Sequence, residues 1–140
     1  MRRFHGPGVG LLLFVVPALP AGAQRPPERP VVVIEEPRPL PVLPAAFVPF
    51  TIGQETCRNG HVPTVGLTVY NVLAQPVAIL RLRGRIATPI DRIALRCGNH
   101  VALWDGTLEG GARAASPGIY YLQLRVDDRT VTRKVIVPQP

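Results

Sequence analysis

Lysine is almost missing from this 140-residue chain: Lys134 is the one lysine among 16 basic residues. The formal charge of +7 therefore rests on arginine, a bias that reads as GC-rich codon usage before it reads as a binding signal. The charge is spread along the chain without a dense block, which excludes an inference of nucleic-acid binding from charge alone. Aromatics make up only 6% of residues and cysteine occurs twice. No long apolar run follows the first 23 residues, so no segment after them is predicted to span a membrane. No cysteine lies near residue 23, which excludes lipid attachment there. The parts of an enzyme are also wanting. Ser116 precedes Pro117 in a loop, the carboxylates are scattered in turns, and no nucleophile, base and orienting group are in register. No catalytic residue, cofactor or metal is expected.

What is present begins with an export signal. Arg2-Arg3 supplies a positive start and Val9–Val16 an apolar stretch shorter than the about 20 residues of a bilayer span. Pro17 and Pro20 break it, and Ala21-Gly22-Ala23 has the small residues of a cleavage site. Residues 1–23 are thus a predicted signal peptide, and its removal takes Arg2 and Arg3 and leaves +5 from +7. Residues 24–46 read as a linker. Pro26, Pro27, Pro30, Pro37, Pro39, Pro41 and Pro44 remove backbone donors and favour extended polyproline II. At about 3.1 Å per residue such a spacer reaches roughly 70 Å. Val31–Ile34 interrupts it and is able to pair as a strand.

Residues 47–140 carry the pattern of a folded domain. Phe47, Val48, Phe50 and Ile52 are β-prone, with Pro49 pointing to an edge position or a strand entry. Val65, Leu67 and Val69 alternate with Gly66, Thr68 and Tyr70, the period of a half-buried strand, and Val77–Leu82 is its return. Between Gly84 and Cys97, Thr88-Pro89-Ile90-Asp91 has the residues of a helix start, so a loop with a helical turn is expected there, against a loop with a short edge strand through Ile93–Leu95. His100–Trp104, Ile119–Val126 and Thr130–Val137 are further strands, separated by Asp105-Gly106, the loop 109–118 and Asp127-Asp128. No pillar helix and no internal repeat occur. The expected fold class is an all-β sandwich.

Cys57 and Cys97 are expected to form a disulfide, since an even count in an exported chain favours oxidation. The rival is a zinc site from Cys57, His61, Cys97 and His100. Trp104-Asp105-Gly106 reads as a structural motif: a large core body, then a turn in which Asp bonds the following backbone and Gly allows positive φ. A calcium role for Asp105 and Glu109 is the weaker reading. Arg81, Arg83 and Arg85 fall on one face if they share a strand, either for an anionic glycan or headgroup or to protect a solvent face. Tyr120 and Tyr121 point to opposite faces, one of them into the core.

Leu67-Thr-Val-Tyr-Asn-Val-Leu73, Gln75-Pro-Val77, Leu95, Gly98, Trp104-Asp-Gly106, Gly110 or Gly111, Ser116, Gly118-Ile-Tyr-Tyr121, Leu124 and Arg133-Lys-Val-Ile-Val137 together resemble a known pattern. It is similar to the immunoglobulin-like domain of flagellar hook-capping proteins and the related C-terminal sorting domain of type IX secretion substrates, over Leu67 to Val137. The resemblance implies a small immunoglobulin-like β-sandwich of about seven strands without a catalytic site, with Gly118 and Tyr120 among its structural residues. Ala74 stands where that family usually has glycine, and residues 84–92 and the cysteine pair are additions. No passenger domain is expected ahead of the module, so the expectation is that either the Pro-rich segment is the cargo or the module is free-standing. The expected function is a secreted, non-catalytic interaction or assembly module of the bacterial cell envelope, in the periplasm, on the cell surface or outside the cell. The alternatives are a sorting domain recognised by a type IX-like system and, more weakly, glycan binding through the arginines. The expected partner is an envelope or secretion-machinery protein, with Arg133 and Lys134 as further interaction candidates.

Overall fold

The computed structural model describes residues 10, 22, 32–39, 46–84, 86–109 and 115–139. The predicted signal peptide lies outside the described residues except for Gly10 and Gly22. The described residues are mostly β, in two antiparallel sheets packed face to face. The strands in chain order are β1 (Val32–Ile34), β2 (Arg38–Pro39), β3 (Ala46–Ile52), β4 (Thr64–Tyr70), β5 (Pro76–Ile79), β6 (Arg81–Leu82), β7 (Thr88–Pro89), β8 (Ile93–Ala94), β9 (Gly98–Trp104), β10 (Gly118–Val126) and β11 (Arg129–Val137). The first sheet has the order β1-β3-β9-β6-β7 with β2 also on β3; the second has β11-β10-β4-β5 with β8 also on β4. Where about seven strands were expected, these eleven segments occur among the described residues, and four of them are two residues long. No described helix is long and apolar enough to cross a membrane.

Alternation dictates the core. In β3, Ala46, Val48, Phe50 and Ile52 turn inward and the residues between them do not. In β10, Tyr120, Leu122, Leu124 and Val126 do the same, and in β4 Val65, Leu67 and Val69. Each such Leu, Val or Phe contributes about 1.5–3 kcal/mol by leaving water. Trp104 meets Tyr120 edge-on at 5.5 Å between ring centroids, joining the two sheets at one end of the core.

The expected linker contributes to this core. Val32 and Ile34 are buried and β1 pairs with β3 through Val32↔Ile52, Val33↔Thr51 and Ile34↔Phe50. The folded unit therefore starts before residue 47: Val32 and Ile34 bury their side chains beside β3, and β1 also touches β11. Arg133 of β11 joins the two, donating from Nη1 to the Ile34 carbonyl at 2.9 Å and pairing with Glu36. Pro49 does not make β3 an edge strand, since β9 pairs along its whole other side. The missing donor instead coincides with the end of β1. Glu35 N–H donates to the Pro49 carbonyl at 2.9 Å, and Pro49 has no N–H with which to continue the ladder.

The helical turn expected at Thr88–Asp91 is not formed. Thr88–Pro89 pairs in extended backbone with Leu82 and Arg81 instead. Ile90 is fully buried, and its backbone is committed: Ile90 N–H donates to Leu80, Leu80 N–H to Leu67, and Leu67 N–H to Ile90. This ring of three is where the chain changes sheet. β5 lies in the second sheet and β6 in the first, so the single return strand Val77–Leu82 breaks at Leu80. After Ile90 the chain crosses back and Ile93–Ala94 pairs with β4, the edge-strand alternative for this region. The described helical element is a kinked 3₁₀ segment, Gln54–Gly60, that carries Cys57.

Candidate interaction surface

The cysteines are joined. Cys57 and Cys97 form a disulfide with Cα atoms 6.0 Å apart, tying the 3₁₀ segment to the start of β9. The histidines of the rival zinc reading are turned to other partners. His61 Nε2 lies 2.8 Å from Asp127 Oδ2, and His100 Nε2 donates to the Arg96 carbonyl at 2.7 Å. Among the described residues no group of three or more His, Cys, Asp or Glu is placed to hold a metal ion. Asp127 also accepts the Thr64 N–H at 2.9 Å. The His61 hydrogen bond, with that amide behind it, holds the Asp127 carboxyl below its ordinary range.

Trp104 is buried, and its indole N–H donates to the Thr107 carbonyl at 3.1 Å. Asp105 Oδ1 accepts both the Thr107 hydroxyl at 2.6 Å and the Thr107 N–H at 2.9 Å. Those bonds, led by the hydroxyl and assisted by the Arg81 charge, lower the Asp105 pKa against a smaller opposing effect of burial. Gly106 takes φ 77 and Gly118 φ 147, both closed to side chains without strain. Tyr120, the inward member of the tyrosine pair, donates its hydroxyl to the Ser116 carbonyl at 3.0 Å, so its polar end is satisfied where its ring is buried. These residues hold the loop end of the sandwich together.

The arginines separate. Arg81 reaches back to the Ala87 carbonyl at 3.2 Å, and Arg83 lies 4.8 Å over the Phe47 ring. Arg85 is outside the described residues. Arg81 also borders a cleft of about 340 Å³ with Asp105 and Glu109, which gives it carboxylate neighbours of its own. Arg133 is engaged inside the molecule, while Lys134, its neighbour in sequence, points outward and makes no ion pair among the described residues.

No family model, curated protein or solved structure matches this chain. The functional reading therefore rests on its own surface. Six large apolar residues are exposed among those described, and four of them gather at one end of the second sheet: Val72 (65% exposed), Leu73 (73%), Ile119 (41%) and Ile136 (63%). Ile119 faces Ile136 across the β10–β11 ladder; two residues along, Tyr121 faces Lys134, and on its other side Tyr70. All lie on the outer face, because Tyr120 and Leu122 face in. Single exposed apolar residues need no explanation, but a contiguous group does.

The turn beside this face is built rigidly. Asn71 Oδ1 accepts the N–H groups of Leu73 and Gln75, each at 3.0 Å, and Asn71 Nδ2 donates to Gln75 Oε1 at 3.0 Å. Ala74 N–H donates to the Asn71 carbonyl at 3.0 Å. Val72 and Leu73 are thus held out by a hydrogen-bonded frame. A cleft of about 240 Å³ lies at its foot, lined by Tyr70, Val72, Ala74, Tyr121, Gln123 and Thr132. The motif stretches Asn71-Val-Leu73 and Gly118–Tyr121 mix residues of the core with residues that face out, and of these the sequence sets only Tyr120 and Tyr121 on opposite faces. The available signal was the strand phase: with Tyr120 inward, Ile119 and Tyr121 must face outward.

Proposed function

We propose that this chain is an exported, non-catalytic, immunoglobulin-like module that works by binding another protein of the bacterial cell envelope. The observation that carries the reading is the gathering of Tyr70, Val72, Leu73, Ile119, Tyr121 and Ile136 on one outer face beside a rigid turn. Four of the six exposed large apolar residues among those described sit at this end, and such a grouping resembles a surface made to be covered. The disulfide suits an oxidising compartment, as do the signal-peptide features of residues 1–23. The arginine reading is less well supported, since Arg81 and Arg83 each have an intramolecular partner.

Intact mass of the native protein in periplasm, outer membrane and medium tests this reading. A single species that starts at Gln24, ends at Pro140 and weighs two hydrogens less than the reduced chain is the expected result. A species outside the cell that lacks β11, or carries a large addition at the C-terminus, favours the sorting role and overturns the proposal.

A further inference from the structure

The geometry points to an acidic, apolar-anchored segment of another protein as the occupant of the outer face of β4, β10 and β11. In this arrangement an apolar side chain sits in the cleft between Tyr70, Val72 and Tyr121, and a carboxylate beside it pairs with Lys134. The inference rests on the interaction-module reading and adds the chemistry of the partner.

Charge selects among occupants. The strands of the second sheet, β4, β5, β8, β10 and β11, contain no Asp or Glu. They do contain Arg125, Arg129, Arg133 and Lys134, of which Arg133 pairs with Glu36 and the others have no ion pair among the described residues. Asp127 and Asp128 lie in the turn at the opposite end, where Asp127 is held by His61 and Thr64. A second copy laid on this face brings Arg125 and Lys134 against like charges without a carboxylate to separate them, which opposes self-association. A neutral apolar partner leaves Lys134 covered and unpaired, at a desolvation cost. An acidic partner meets neither penalty.

Dimensions narrow the segment. The cleft of about 240 Å³ admits one large side chain. Lys134 is the cross-strand partner of Tyr121, which forms the cleft wall, and adjacent strands are about 4.8 Å apart. The anchor and the carboxylate of the partner therefore belong to neighbouring or next-neighbouring residues. Asn71 pre-sets the turn, so little loop ordering opposes binding.

The test uses the full mature chain and a capped ten-residue peptide: a central phenylalanine, two glutamates on each side, and serines beyond. Its controls replace the glutamates by glutamine, the glutamates by lysine, or the phenylalanine by alanine. Calorimetry should show saturable binding of the glutamate peptide, weakened on the order of tenfold or more in the glutamine control and likewise in the alanine control. Amide shifts in NMR should concentrate at Tyr70–Leu73, Ile119–Tyr121 and Lys134–Ile136. Lys134→Glu and Val72→Asp, both at exposed positions, should each weaken binding by a similar factor. Lys134→Glu should also gain affinity for the lysine peptide, a reversal that a misfolded variant would not show. Absence of binding overturns the proposal. So do equal binding of the glutamine peptide, shifts centred on Arg81 and Arg83, and a dimer abolished by Ile136→Asp. If the peptide fails while the native protein remains full-length and resident, the docking proposal falls and the module reading stands. Loss of β11 from the native protein removes the module reading whatever the peptide does.

Discussion

Ala74→Gly should stabilise the protein, although it deletes a side-chain atom. Ala74 holds φ 57 in the turn between β4 and β5. The left-handed region costs an L-residue roughly 1–2 kcal/mol through the clash of Cβ with the following carbonyl oxygen. The residue is exposed, so removing its methyl group forfeits little packing. Glycine returns part of the gain, about 0.5–1 kcal/mol, through its greater freedom in the unfolded chain. The balance is a stabilisation of about 0.5–1 kcal/mol. At about 4–8 °C per kcal/mol for a domain of this size, the melting temperature rises by roughly 2–8 °C. Urea unfolding followed by far-ultraviolet circular dichroism measures the same change as a higher midpoint at unchanged slope. Ala74→Val supplies the opposite sign, because a β-branched residue is worse placed still at positive φ. A glycine variant less stable than the parent, or a valine variant without penalty, would refute the left-handed turn and with it the rigid presentation of Val72 and Leu73.

Two further expectations concern the other end of the sandwich. Replacing Cys57 and Cys97 together by Ala releases a closed loop spanning a sequence separation of 40 and should cost up to about 4 kcal/mol by loss of chain-entropy restriction, measurable as a lower urea midpoint. Asp127→Asn keeps a residue that tolerates φ 51 but removes the charge held by His61 and Thr64. A carboxyl whose folded pKa is lowered stabilises the protein above its unfolded pKa, and that contribution disappears as pH falls through the folded value. The variant should therefore be less stable than the parent above the ordinary carboxylate range and converge with it in acid, as read from unfolding midpoints across a pH series.

Much of this molecule is legible in its one-dimensional pattern. Period-two alternation identifies β4 and assigns Val65, Leu67 and Val69 inward, because side chains on an extended backbone alternate faces whatever the strand pairs with, while apolar β-prone runs between turn residues mark β3, β9, β10 and β11. The Cys57–Cys97 bond follows from an even count of two in a chain with export features. The turn after Trp104 follows from residue chemistry that acts within three positions: Asp105 caps Thr107, and Gly106 supplies positive φ.

Long-range pairing decided the rest. Nothing local distinguishes Val32–Ile34 as a strand of the sheet from an apolar interruption in a Pro-rich spacer; its place depends on an open edge of β3 and on Arg133, roughly a hundred residues away. Thr88-Pro89-Ile90-Asp91 has helix-start residues, yet Ile90 is drawn into the core between Leu67 and Leu80, and burial outweighs a weak local propensity. The same applies to the candidate site. Val72, Ile119, Lys134 and Ile136 come from three separate stretches and share one face only because β10 pairs between β4 and β11 in this register. Local sequence sets which way each side chain points along its own strand; the sheet order, a property of distant contacts, sets which of them become neighbours.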